Sequence, residues 1–228
     1  MHHMNLSHIS KGYFIGVGGI GVSAVIRLFA ERGIMVLGSD ITLPEPGTLP
    51  DGQYFEGVDA NHVPSDASVL IYSPAVPYEN AERVRARELG VPELSYPEAL
   101  ALVTREHATI AISGTHGKST TTAITGKLFQ AGGLDASVIV GAEVLGWDHN
   151  YHHGKGDMFI VEACEYRRSM MQLKPQAIIL TNLELDHPDY YHDLADVKSA
   201  FREYINKLSS EDLLITNNDD ANIRDITK

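Results

Sequence analysis

Cysteine is nearly absent from this sequence. Its one instance is Cys164, so no disulfide can form within the chain, which fits a reducing compartment. Long apolar runs are missing too: none approaches the ~18–20 residues needed to span a bilayer. Basic residues are the scarcer charge, 18 against 30 acidic ones, giving a formal net charge of −12. A broad nucleic-acid interface needs a basic footprint, so this balance argues against that class of function. A phosphate ligand is not excluded, because local backbone N–H groups and one or two cations hold it whatever the net charge. Met1 to Ser10 lacks the charged-then-apolar order of a signal peptide, and no internal repeat or low-complexity tract is visible. The expectation is a soluble cytoplasmic protein with no membrane partner. Its 228 residues, 43% hydrophobic and 21% charged, suffice for one large domain or two modest ones.

Strand and helix signals alternate along the whole chain. Tyr13–Val17, Met35–Leu37 and Val69–Tyr72 are short apolar runs that read as strands. Helical spacing covers Val22–Glu31, Asn80–Leu89 with Asn80 as N-cap, and Pro97–Thr104. The pattern then restarts. Ala108–Ser113 reads as a strand and Lys118–Ala131 as a helix stopped by Gly132-Gly133. Ser137–Val140, Met158–Val161, Ala177–Leu180 and Leu213–Thr216 are further strands. Asp193–Leu208 is an amphipathic helix with Leu194, Val197, Phe201, Ile205 and Leu208 on one face. Such alternation predicts an α/β fold of parallel sheets with crossover helices. The restart places a boundary between residues 1–107 and 108–228.

Each half opens with a strand, a glycine-rich turn and a helix. In the first, Gly16-Val17-Gly18-Gly19-Ile20-Gly21 fits G-x-G-x-x-G in the context that motif requires. The glycines permit a tight turn and close approach of a pyrophosphate to the helix N-terminus. Asp40 follows at the end of the second strand, where a ribose or base contact is expected. Alone, the motif also fits a ligand-free turn, or NAD(P) or FAD binding.

In the second half, Gly114-Thr115-His116-Gly117-Lys118-Ser119-Thr120 follows a strand and starts a helix. It is a P-loop arrangement, two residues shorter than G-x-x-x-x-G-K-S. Backbone N–H groups would hold phosphates, Lys118 would reach the β- and γ-phosphates, and the Ser119 hydroxyl would ligate Mg²⁺. Such a site needs a carboxylate at a neighbouring strand end. Glu162 ends the strand Met158–Val161 and is the candidate, with Glu165 three residues on. Asp186-His187 follows the strand Ala177–Leu180 and suits a metal or phosphate site. His149, His152 and His153 fall in the polar stretch Trp147–Gly156, which reads as a solvated loop. Cys164 reads as a small buried side chain.

Four motifs stand in order: GVGGIGVSA at residues 16–24, GTHGKST at 114–120, EACE at 162–165 and LDH at 185–187. In that order and spacing the sequence resembles the Mur ligases of peptidoglycan synthesis over essentially its full length. The GGIGxSA form, and Tyr72-Ser73-Pro74-Ala75-Val76-Pro77 with Asn80 after it, are similar to the L-alanine-adding branch. The resemblance implies a Rossmann-like first domain holding UDP-N-acetylmuramate, its diphosphate on Gly16–Gly21 and the Ser73 loop. It implies a central P-loop-type domain that binds ATP with Mg²⁺, where Lys118 holds phosphates, Ser119 and Glu162 ligate one ion, and His187 serves a second. His116 would share the nucleotide loop. Two departures stand out: Cys164 occupies a place where many members carry Asp, and Ser119 replaces a commoner Thr.

Members of that family are roughly twice as long. The expectation is a fragment that stops inside the central domain and lacks the domain for L-alanine, inactive as a ligase by itself. An apolar edge on its second sheet is expected to favour association. The rivals are an NAD(P)-dependent oxidoreductase, which leaves Gly114–Thr120 unexplained, and the neighbouring ligase that attaches a recycled peptide to the same sugar, whose first glycine motif usually departs from GxGGxG.

Overall fold

A computed structural model describes residues 4–227; the start of Met1–Ser10 and the last residue lie outside the described residues. The chain divides into two compact units, meeting between Val103 and Thr104, a few residues before the break expected from the sequence.

The first unit is a five-stranded parallel sheet. Its strands are β1 (Lys11–Ile15), β2 (Met35–Asp40), β3 (Gln53–Glu56), β4 (Val69–Tyr72) and β5 (Glu93–Ser95), in the order β3-β2-β1-β4-β5. Helix α1 (Ile20–Glu31) joins β1 to β2, α2 (Ala81–Leu89) joins β4 to β5, and α3 (Tyr96–Thr104) follows β5. β1 is central, so its two faces are both covered, and alternate side chains sort between them. Tyr13 and Ile15 join Leu37, Val63, Leu70 and Ala86 in one core. On the opposite side Phe14 meets Phe29 of α1 edge-on, with centroids 5.4 Å apart. The expected N-cap is present: Asn80 Oδ1 accepts from the backbone N–H groups of Glu82 and Arg83 at 2.9 and 3.2 Å, and Gly90 ends α2 in the left-handed region.

The β1–β2 contact is close enough to require a glycine. A Cβ on Gly38 would lie 2.3 Å from the Phe14 carbonyl oxygen and 2.6 Å from Val17 Cγ1. Gly38→Ala must push the two strands apart and is predicted to cost about 3 kcal/mol. A lowered midpoint in urea with an unchanged slope is the expected result.

The second unit has six strands in the order β11-β10-β6-β9-β7-β8. They are β6 (Ala108–Ser113), β7 (Ser137–Ile139), β8 (Tyr151–His152), β9 (Met158–Glu162), β10 (Ala177–Leu180) and β11 (Leu213–Thr216). All neighbours are parallel except β8, which runs antiparallel to β7. Helices α4 (Lys118–Ala131), α5 (Leu194–Ile205) and α6 (Ala221–Ile226) complete it. α5 is shorter than the expected Asp193–Leu208. Asp193 is its N-cap, accepting from the Asp196 N–H at 2.8 Å, and its buried face is Val197, Ala200, Phe201, Tyr204 and Ile205. β11 is an edge strand with Leu213 and Ile215 exposed.

One expectation is corrected here. Trp147–Gly156 is not simply a solvated loop: Tyr151 and His152 pair with Ile139 and Val138, and Asn150 and Tyr151 are buried. Polar side chains hid a strand whose partner is distant in sequence.

Candidate functional site

In the first unit the glycine turn lies between the ends of β1, β2 and β4. Gly16 is left-handed, with φ of 88°, and turns the chain over the end of β2. The Ser39 carbonyl then accepts from the N–H groups of Gly16 and Val17 at 2.8 and 3.2 Å. The Asp40 carboxylate accepts from Gly18 N–H at 2.8 Å, and the Gly16 carbonyl accepts from Gly19 N–H at 3.0 Å. Four successive amides of the turn are thus held within the protein. Gly19 caps α1 with no side-chain acceptor. A pocket of about 490 Å³ opens beside this turn; Gly16, Gly18, Gly19, Asp40, Ser73 and Asn80 are among its lining residues. A cleft of that size, with Asp40, Ser73 and Asn80 beside Ile41, Val58 and Val76 in its lining, suits a small ligand with both polar and apolar parts. Ile20 and Gly21 start α1, and a Cβ on Gly21 would meet the Tyr96 ring at 2.9 Å.

In the second unit, three parallel strands deliver their C-terminal ends to one edge. Ser113 of β6 is in register with Leu180 of β10, and Ile112 with Glu162 of β9. The loop after β6 is tied to the segment after β10. Thr115 N–H donates to the Asn182 carbonyl at 3.0 Å and His116 N–H to Asn182 Oδ1 at 2.8 Å. The Thr115 hydroxyl donates to the Glu184 carbonyl at 3.1 Å and accepts from Glu184 N–H at 2.9 Å. Gly117 is left-handed and caps α4 without a side-chain acceptor. Ser119 and Thr120 follow in its first turn, Ser119 half-buried and Thr120 exposed. Lys118 folds back over the loop. Its ammonium donates to the carbonyls of Gly114 and Thr115 at 2.8 and 2.9 Å and to Glu165 Oε1 at 3.0 Å.

Glu165, three residues after Glu162, lies deeper in the site. It is 2% exposed, and its carboxylate faces Lys118 on one side and His187 on the other, where Nε2 lies 3.5 Å from Oε1. Glu165, Asp186 and His187 form, among the described residues, the one group whose ligand atoms all lie within 4.8 Å of each other. His187 has a left-handed backbone, with φ of 53°, an unfavourable state for a non-glycine residue. Asp186 Oδ1 holds it there by accepting from the His187 N–H at 2.7 Å. The Tyr166 ring packs against the imidazole at 4.7 Å. Glu162 is not in this group: its carboxylate accepts from Gly141 N–H at 2.7 Å. The two acids thus have different surroundings although three residues apart. After Glu165 the chain turns through left-handed Arg167 and Arg168, and no strand-end rule anticipates that turn.

Taken together, the second site offers a glycine loop at a helix start, a lysine, and an O,O,N donor set at one sheet edge. That is the equipment for binding a polyphosphate with a divalent cation.

Two family profiles together match almost the whole chain. One described as Mur ligase family, catalytic domain, matches residues 11–108, and one described as Mur ligase middle domain matches residues 112–228. The chain belongs to the Mur ligase family. A UDP-N-acetylmuramate–L-alanine ligase of Paenarthrobacter aurescens is 37% identical over 222 residues, 96% of this chain and 48% of that protein. One of Alkaliphilus metalliredigens is 34% identical over 232 residues, covering 100% of this chain and 50% of its own length. The crystal structure of a UDP-N-acetylmuramate–alanine ligase from Thermotoga maritima superposes with a TM-score of 0.80 at 29% identity, over 95% of this chain and 51% of that one. The chain therefore spans about half the length of the curated relatives it matches. Among the described residues no helix is long and apolar enough to cross a membrane.

One Mur ligase position differs from expectation. Cys164, read as buried, is exposed, because the buried positions around it go to Ala163 and Glu165. Part of its surface is open, yet packing around the sulfur and then the Glu165 carboxylate raise the thiol pKa. The thiolate is the reactive form, so iodoacetamide labelling of Cys164 should be slower than that of free cysteine at pH 7.5 and should gain on it as pH rises. Peptide mass spectrometry against a pH series checks this; labelling as fast as free cysteine at pH 7.5 would refute it.

Proposed function

We propose that this chain provides the UDP-sugar- and ATP-binding parts of a UDP-N-acetylmuramate–L-alanine ligase acting in the cytoplasm. The observation that carries this reading is the pairing of two glycine-turn sites, one in each unit, in a chain whose relatives of that name match it from end to end. UDP-N-acetylmuramate would occupy the pocket beside Gly16–Gly21, Asp40 and Ser73. ATP would lie over Gly114–Thr120 with its phosphates at the start of α4. The sugar carboxylate would attack the γ-phosphorus of ATP, releasing ADP and forming an acyl phosphate. The amine of L-alanine would then attack the acyl carbon, expelling phosphate and forming the amide.

The chain's own residues have distinct duties in this scheme. Lys118 leaves its carbonyl and Glu165 partners to stabilise charge developing on the β- and γ-phosphates. His116, at the exposed tip of the loop, lines the phosphate path. Glu165, Asp186 and His187 fit a divalent cation by donor type and spacing. Ser119 and Glu162 are proposed to complete the ion's surroundings, with Glu162 secondary because its carboxylate already serves Gly141. What a bound Mg²⁺ supplies is neutralisation of phosphate oxygens. The exposed Leu213 and Ile215 edge of β11 supports association through the second unit.

Calorimetric titration with UDP-N-acetylmuramate, with NAD(H) in parallel, tests the assignment. Micromolar binding of the sugar nucleotide alone is expected. Binding of NAD(H) alone would move the protein to the oxidoreductases.

A further inference from the structure

Beneath the first pocket lies a carboxylate that no ligand can touch. Glu82, in the first turn of α2, is 0% exposed. Its Oε1 accepts from the Tyr13 hydroxyl of β1 at 2.7 Å and lies 3.2 Å from His62 Nδ1. Its Oε2 accepts from the Ser39 hydroxyl at 2.7 Å. Tyr13 is a lasting donor here, since burial raises its pKa well above the usual range for a phenol. An acid buried this deeply is a poor device for stability alone, because a well-packed apolar side chain would serve as well or better.

What the acid does hold is the end of β2. Ser39 is itself 1% exposed. Its hydroxyl goes to Glu82, and its carbonyl receives the N–H groups of Gly16 and Val17. The next residue, Asp40, receives the N–H of Gly18. One serine therefore connects the buried acid to the turn, and the turn's position depends on where that serine is fixed. Asn80, which lines the pocket, also caps the helix carrying Glu82.

We infer that Glu82 is a positioning residue for the glycine turn, acting through Ser39 and never touching ligand. The inference rests on the reading of that turn as the UDP-sugar site, and its test has one arm that needs no ligand. Glu82→Gln keeps size and loses charge and one acceptor; Tyr13→Phe removes a donor from the other carboxylate oxygen and serves as the structural control. Hydrogen exchange of a peptide spanning residues 15–19 reads the turn, and calorimetry with UDP-N-acetylmuramate reads the site. Glu82→Gln should speed exchange of that peptide and weaken binding, each by roughly tenfold, the effect expected from losing one charge-assisted bond. Tyr13→Phe should lower the melting temperature and move neither.

Equal destabilisation by both variants, with exchange of residues 15–19 and affinity unmoved, overturns the inference. Faster exchange in a protein that binds no UDP-sugar, with or without the substitution, upholds the positioning role and removes the ligand assignment instead. Should Glu82→Gln fail to fold, Ser39→Ala against Ser39→Thr repeats the exchange comparison. The threonine, which restores the hydroxyl, should also restore slow exchange, and no difference between the two overturns the inference.

Discussion

Replacing Gly114 with alanine should abolish ATP binding and destabilise the second unit. The residue sits at φ of 131°, a conformation that L side chains rarely adopt. A Cβ there would lie 2.2 Å from Thr181 Oγ1, with a milder clash against the backbone of Asn182, at 2.9 Å from its carbonyl oxygen. The threonine cannot simply swing away, because its hydroxyl bonds the His116 carbonyl at 2.8 Å. The variant must break the ties between the loop after β6 and the segment after β10, which also set the start of α4. A loss of about 3–4 kcal/mol is expected from strain and clash together. Differential scanning calorimetry should show it in the second unit, and ATP titration should show no heat. Wild-type ATP affinity in this variant would mean that the loop does not hold the phosphates.

The second large effect is expected at Glu165. It is the buried partner of Lys118, and Glu165→Ala leaves that ammonium with two carbonyls and no counter-charge. Breaking a buried pair from one side costs about 3 kcal/mol, so the melting temperature should fall. Binding should split by condition. Affinity for ATP with Mg²⁺ should drop at least ~100-fold, about 2.7 kcal/mol, because the carboxylate at the centre of the Glu165, Asp186 and His187 group is gone. Affinity for ATP in EDTA should hold or rise, since Lys118 is released for phosphate. Calorimetry in the two buffers decides it. Equal losses in both would make Glu165 a support for the lysine and remove it from the cation site. The same pair of titrations on Glu162→Ala should show the smaller metal-dependent change.

Much of the fold was legible because the core strands announce themselves locally. Val69–Tyr72, Ala108–Ser113, Ala177–Leu180 and Leu213–Thr216 are bounded in the structure as the sequence reading bounds them, and so is the helix Lys118–Ala131. Each is an apolar run stopped by glycine or polar residues. The missed strands lacked such a signal. Gln53–Glu56 and Glu93–Ser95 are half-exposed edges of the first sheet, and Tyr151–His152 is one of the two edges of the second. Their pairing is decided by the neighbour that receives them and leaves little trace in their own residue pattern.

The sites divide in the same way. Glycine turns and the lysine are visible in sequence because their chemistry needs fixed spacing. The burial of Glu165 between Lys118 and His187 was not, because two left-handed arginines follow it and the Tyr191 hydroxyl bonds its carbonyl at 2.7 Å. Asp40, at the end of β2, lines the pocket, and its carboxylate also accepts from the protein's own Gly18 N–H. A backbone donor has no letter in a sequence.

That engagement has a kinetic side. A turn whose successive amides are already bonded does not wait for an anion to give it shape. Little backbone freedom is then left to lose when a ligand arrives, so association need not pass through an ordering step. The empty and occupied forms of the first unit would share one loop geometry, and discrimination among nucleotides would fall to how well a rigid cleft is matched on first encounter.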